Sequence, residues 1–297
     1  MAHTDILTPA APSTELPVVR SLGPADLRDA LRKGLADFAA MPTHVIFLGL
    51  IYPIVGLLLA RVMFGYEIVP LLYPLAAGFA LLGPFAGIGL YELSRRRELG
   101  LDTRWRHAFD VVHSPSLPAI LALGCLLLLI FGIWLAVANA IYVANFGYHE
   151  PASLTEFAGR VLRTPQGHNL IVVGNLVGFL FAALAASISV VSFPLLLDRH
   201  AGLTVAMLTS LRVVLRNPAT MALWGLIVAG LLAVGSLPFL LGLAVVVPVL
   251  GHATWHLYRR AVAPDANPRP EYHPPEKGRR YAADFPVSLF SSVRRDE

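Results

Sequence analysis

Six apolar stretches alternate with short polar breaks along this chain, and its cations fall almost entirely on one side of that alternation. A bilayer core about 30 Å thick needs roughly 20 predominantly apolar residues in helical form, because lipid offers the backbone no hydrogen-bond partner. Residues 45–64, 69–90, 118–142, 170–197, 218–237 and 238–257 meet that requirement. Of the 23 Lys and Arg residues, four precede the first stretch, five follow the second, three follow the fourth and eight follow the sixth. Only Arg61, Arg160 and Arg163 lie on the other side. Positive charge concentrates in cytoplasmic loops, so the expected fold is all-α and polytopic. It has six transmembrane helices, with the N-terminus and C-terminus both on the cytoplasmic face of a bacterial inner membrane.

Composition agrees with this placement. The 297 residues are 56% hydrophobic and only 14% charged, with a mean hydropathy of +0.65, well outside the range of water-soluble domains. A net charge of +4 does not indicate nucleic acid, because the basic residues flank apolar stretches, where anionic lipid headgroups would meet them. The expected partners are therefore the lipid bilayer, its anionic headgroups, and other membrane proteins or a homo-oligomer. Cys125 is the one cysteine and sits inside an apolar stretch, which excludes an internal disulfide and suggests a packing role. No apolar segment with a small-residue cleavage site occupies the first forty residues, so a removable signal peptide is not expected. Residues 1–22 and 261–297 are Pro-, Ser- and charge-rich without periodicity and read as disordered tails around a membrane domain at 23–260.

Each segment leading into an odd-numbered stretch combines an amphipathic helix with a proline. Leu27, Leu31, Leu35 and Phe38 form one face before Pro42; Trp105, Phe109 and Val112 do so before Pro115; Leu208, Leu211 and Leu215 do so before Pro218. Arg28, Arg32, Lys33, Arg104, Arg106 and Arg212 accompany them. The pattern predicts three cytoplasmic helices lying in the headgroup plane, and a threefold repeat of interfacial helix plus hairpin. Pro24 and Asp26 suit the start of the first helix. On the outer side, Ser153 and Glu156 have capping-box spacing.

Candidate chemistry is sparse. His252 and His256 are four residues apart on a predicted helix, a spacing compatible with a metal, but they stand beside Trp255, Tyr258 and two arginines, which reads as an interfacial belt. His44, His107, His113 and His168 are scattered over both surfaces. Charged residues are almost absent from the middles of the stretches, which argues against an ion-coupled carrier. Asn139, Asn175, Ser187, Ser189 and Ser192 are the intramembrane polar groups and suit hydrogen bonding between helices. Gly83 with Gly87, and Gly174 with Gly178, form GxxxG pairs that predict close packing of the second and fourth helices, within the chain or across a dimer. Glu92 and Asp198, each near arginine, read as a surface salt-bridge network. No catalytic set and no cofactor are expected.

The stretches GLADFAAMPTHVIFLGLIYPIVG and YPLAAGFALLGPFAGIGLYELSRRRE, with the later FPLLLDR and NPATMALWG, resemble a bacterial family of integral membrane proteins catalogued as domain of unknown function 2189. The resemblance implies a polytopic membrane protein without an assigned activity. Some members are labelled putative cytochrome c oxidase subunit I, a label that calls for histidines within the spans to hold haem and copper, whereas here they are interfacial. The leading expectation is a non-catalytic accessory or scaffold protein. The alternatives are a channel or permease for a small neutral solute, with Asn139 and Asn175 along its path, and a redox accessory protein using His252 and His256.

Overall fold

Proline placement sets where the helices begin and break. The computed structural model describes residues 15–41, 69–79, 83–148, 151, 153–199, 201–237 and 240–265, so the first apolar stretch lies outside the described residues. The chain divides into two units, Met1–Pro264 and Asp265–Glu297, and every element below belongs to the first. Helix α1 (Pro24–Ala40) starts on Pro24, and the Gly23 N–H is taken by the Asp26 carboxylate at 2.9 Å. Proline in a first turn loses no hydrogen bond, and the same device opens α5 (Leu117–Phe146), α7 (Pro165–Ser189) and α10 (Pro218–Ser236).

Inside a helix proline acts differently, removing one bond and pressing on the carbonyl four residues back. The second stretch, with Pro74 and Pro84, is divided into a 3-10 turn Val69–Leu71 and helices α2 (Leu72–Phe79), α3 (Gly83–Ala86) and α4 (Ile88–Glu98). Pro194 separates α7 from α8 (Ser192–Asp198) in the same way. The Val191 N–H near that break is received by Ser210 Oγ at 3.3 Å, from α9 (Leu203–Arg216). Helix α6 (Leu154–Arg163) is capped as its spacing predicts, with Ser153 Oγ accepting from the Glu156 N–H at 3.1 Å.

Among the described residues three helices are long and apolar enough to cross a membrane: Leu117–Phe146, Pro165–Asp198 and Pro218–Ser236. Only 33%, 33% and 22% of their most apolar windows is buried inside the chain, so most of each surface is left for lipid or another helix. Helix α11 (Leu243–Ala261) packs against the end of α10 (Pro218–Ser236). A Cβ on Gly242 would come within 2.7 Å of the Gly235 carbonyl, so this close crossing requires glycine.

The core gathers at one end. Trp255, Tyr91, Tyr258, Phe193, Leu27, Leu93, Leu195, Leu196 and Leu257 are all fully buried there. They form a packed cap from α1, α4, α8 and the second half of α11. This changes the expectation for α1. The helix does not simply rest its leucine face on lipid: Leu27, Ala30, Gly34, Asp37 and Met41 are its buried stripe, while Leu35 is exposed. Small residues at 30 and 34 let α1 sit against α11 more closely than leucine would permit. Trp105–His113 is a 3-10 helix, not an α-helix. Both ring nitrogens of His107 bond carboxylates there, Asp110 at 2.7 Å and Asp102 at 3.2 Å, which favours the tighter winding. Cys125 is exposed on α5 and does not pack in the core.

Candidate functional site

The polar groups of the cap converge on one carboxylate. Asp37 sits at the end of α1, only 4% exposed, where the stripe Leu27, Ala30, Gly34 would otherwise continue apolar. Its Oδ2 accepts from Ser94 Oγ of α4 at 2.6 Å and from His256 Nε2 of α11 at 2.8 Å. Its Oδ1 pairs with Arg97. Burial pushes this carboxyl up, but the hydrogen bonds from His256, Ser94 and Arg97 outweigh that and hold it below its ordinary range. The carboxylate therefore stays charged at neutral pH and ties three helices together.

Donor direction fixes the next link. The Ser94 hydroxyl is spent on Asp37, so its oxygen accepts from His252 Nδ1 at 2.8 Å. That places the proton of neutral His252 on Nδ1 and leaves Nε2 as a bare acceptor. Among the described residues Nε2 finds no hydrogen-bond partner. His252 and His256 do share a face, as their spacing predicts, but that face looks onto Asp37 and Ser94. Among the described residues no three His, Cys, Asp or Glu side chains are grouped to hold a metal ion.

Around this hub runs a set of ion pairs. Glu92 is buried, not on the surface, and receives Arg95 at 2.8 Å. Arg96 reaches Asp110 at 3.3 Å. Each arginine of the 95–97 run thus meets a carboxylate, and Arg96 also approaches Glu92 at 3.7 Å. Glu98 accepts from Trp255 Nε1 and Arg259 Nε, both at 3.0 Å, and Asp198 meets Arg259 at 3.3 Å. At the far end of α1, Arg260 and Arg32 hold the Asp29 carboxyl well below the usual range. These cations are engaged within the protein. Arg28, Arg212 and Arg216 remain exposed on outer helix faces.

A backbone strap closes the same end. Val19 and Val262 form an antiparallel bridge, with the Arg20 N–H donating to Ala261 and the Ala263 N–H to Val18. Asn217, buried between α9 and α10, reads this strap as a neighbouring strand would. Its Oδ1 accepts from the Leu22 N–H at 2.7 Å and its Nδ2 donates to the Arg20 carbonyl at 3.1 Å. Asn217→Ala leaves both backbone groups without these partners. We expect a loss of about 1–3 kcal/mol, read as a lower melting temperature and faster amide exchange at Leu22.

In the apolar half the organising residue is Trp134 on α5. Its Nε1 donates to the Pro74 carbonyl at 2.9 Å and its ring packs on Phe181. A Cβ on Gly78 or Gly178 would come within 2.8 Å and 3.0 Å of that indole, so both glycines make room for it. Gly178 therefore makes room for α5. Gly87 lies under the Tyr91 ring, while Gly83 and Gly174 meet no neighbour among the described residues. Asn175 accepts from the Tyr73 hydroxyl at 2.7 Å and donates to the Ile171 carbonyl. Asn139 is exposed on α5 and makes no bond with it. Ser187, Ser189 and Ser192 donate to carbonyls four residues back on their own chain, a local bond that competes with bridging between helices.

Asp37, Ser94, Asn217 and Trp134 were not singled out by the sequence. Asp37 carried a faint signal, a carboxylate in register with a small-residue stripe. Asn217 carried none beyond preceding a proline.

The fold and this cap define an all-helical integral membrane protein whose polar groups are concentrated at one end. Residues 71–198 match the model of a family described as Predicted integral membrane protein (DUF2189), and over that segment the resemblance read from the sequence holds. No curated protein and no solved structure matches the chain.

Proposed function

We propose that this protein is a non-catalytic accessory or scaffold component of the bacterial cytoplasmic membrane, crossing it six times with both termini inside. The strap supports an even number of crossings, because Val19 and Val262 pair on one side of the molecule. Three apolar helices alone would put them on opposite sides. The remaining crossings then fall to the stretches at 45–64, 69–90 and 238–257, within a threefold repeat of helix, proline and hairpin.

The observation that carries the scaffold role is glycine without a reason among the described residues. Gly132, Gly174, Gly225 and Gly230 lie on the three apolar helices, and among the described residues a Cβ at any of them would meet nothing within 4 Å. Glycine inside a helix costs roughly 1 kcal/mol relative to alanine, and within lipid its benefit is the close approach of another helix. These positions suit contact with other membrane proteins or a second copy. Crosslinking in native membranes followed by mass analysis tests this. A reproducible partner or dimer that is lost in Gly225→Leu/Gly230→Leu supports it. A chain that crosslinks to nothing and remains monomeric in native extracts overturns it.

One observation favours a second reading, passage of a small neutral solute. An open groove of about 230 Å³ lined by Tyr73, Trp134, Gly174, Asn175 and Phe179 brings a polar amide to an otherwise apolar surface. Liposomes containing the protein should then be more permeable than empty vesicles to some member of a neutral-solute panel, and Asn175→Leu should remove the difference.

A further inference from the structure

We infer that the 3-10 helix Trp105–His113 is a preformed finger that inserts into the membrane surface and selects anionic phospholipid headgroups. This goes beyond the scaffold reading by assigning the headgroup contact expected from the sequence to one element, and it rests on the membrane placement proposed above.

Three side chains of this short helix point outward together: Trp105 is 63% exposed, Phe109 59% and Val112 60%. Of the four tryptophans, Trp134, Trp224 and Trp255 are buried, so Trp105 is the exposed one. Its ring meets Phe109 edge to face at 6.1 Å, which joins the two into a single apolar surface. The finger does not depend on its exposed residues for its shape. Val111 is buried beneath it, Ala108 lies against Gly89 so closely that a Cβ there would come within 3.0 Å, and Asp110 is held by Arg96 and His107. A rooted turn that keeps two aromatic rings in water lacks the partner for which it is shaped.

Position and charge identify that partner as a bilayer. Helix α5, one of the membrane-capable helices, begins at Leu117, four residues after the finger ends. Trp beside Arg is the composition of the membrane–water boundary, and an amphipathic element there lies about 5–10 Å deep. Arg104 and Arg106 flank the rings with side chains 67% and 60% exposed. They share a single carboxylate, Asp102, at 3.6 and 3.8 Å, and His107 also leans on it at 3.2 Å. Asp110 is already taken by Arg96 and His107. Positive charge is therefore left over beside the apolar tip, where phosphate oxygens would sit.

The test is quenching of tryptophan fluorescence in the full-length protein reconstituted into vesicles of phosphatidylcholine with brominated phosphatidylglycerol, or with brominated phosphatidylcholine alone. Trp105→Phe supplies the subtraction that isolates the finger. The Trp105 signal should be quenched by brominated lipid and shielded from aqueous iodide. Half-quenching should need about five-fold less brominated anionic lipid than brominated zwitterionic lipid, the effect of one uncompensated arginine near a charged surface. Arg104→Gln/Arg106→Gln should erase that preference while leaving the quenching itself. Iodide access without bromolipid quenching overturns the insertion. Shielding from both quenchers would mean that protein covers the finger, which also overturns it. Equal quenching by both lipids overturns the selectivity. None of these readouts depends on whether a partner protein exists, which crosslinking decides separately.

Discussion

Replacing Asp37 by alanine will lower the stability of the detergent-solubilised protein by about 3 kcal/mol, at the lower end of the 3–5 kcal/mol expected when one member of a buried charged cluster is removed. The carboxylate receives Ser94, His256 and Arg97, and through Ser94 it also fixes His252. Removing it strands donors from α4 and α11 together. The Arg97 side chain is 40% exposed and can turn to water, which keeps the cost from the upper end. Ser94 and His252 cannot, being 1% and 0% exposed. Asp37→Asn keeps the shape but not the charge and should cost less. The sign of the pH dependence follows from the direction of the shift. A carboxyl held below its ordinary value of 3.8 in the folded protein contributes stability that is complete above about pH 4 and is lost as pH falls through its folded value. The difference in melting temperature between the natural protein and Asp37→Asn should therefore shrink as pH falls below about 4. A gap that did not shrink there would remove Asp37 from the centre of the cluster.

The long apolar helices were legible because membrane helices announce themselves by length alone. Residues 117–146 and 218–236 appear close to where hydropathy places them. The start of α1 at Pro24 and the cap at Ser153 were equally readable, since each depends on residues within one turn. The cap was not legible, for a physical reason. An amphipathic helix looks the same whether its apolar side meets headgroups or another helix. Leu27, Leu31, Leu35 and Phe38 drew attention, whereas only Leu27 of these is fully buried and the stripe continues through Ala30, Gly34 and Asp37, which hydrophobicity ranks low. His252 and His256 were seen as a pair because four-residue spacing is local. Their partner Asp37 lies more than two hundred positions away in the chain, and no local pattern reports such a contact. The basic run at 95–97 was visible as charge, yet its pairing with Glu92, Asp110 and Asp37 is a property of three separate elements.

Gly34→Val should detach α1 from the cap. A Cβ at this position would lie 2.6 Å from the Ala253 backbone nitrogen, 2.7 Å from its Cβ and 2.8 Å from its Cα. None of these is the tip of a flexible side chain, so the two helix axes must separate. Overpacking of this kind costs about 3 kcal/mol, and here the displacement also draws Asp37 away from His256 and Ser94. The two effects share one interface, so Gly34→Val and Asp37→Ala together should cost less than the sum of their separate losses. Gly34→Ala should already be destabilising, while Gly225→Val, where the same atom meets open space, serves as the control for inserting a β-branched residue into a helix. Limited proteolysis reads the outcome directly. Cleavage within α1 should accelerate in Gly34→Val and remain slow in Gly225→Val, and the strap that joins Val19 to Val262 should exchange its amides faster in the first protein alone. Equal cleavage in both would mean that α1 is held by something other than its close crossing with α11. The burial of Leu27 and Met41 would then have to stabilise the helix without the contact at Ala253.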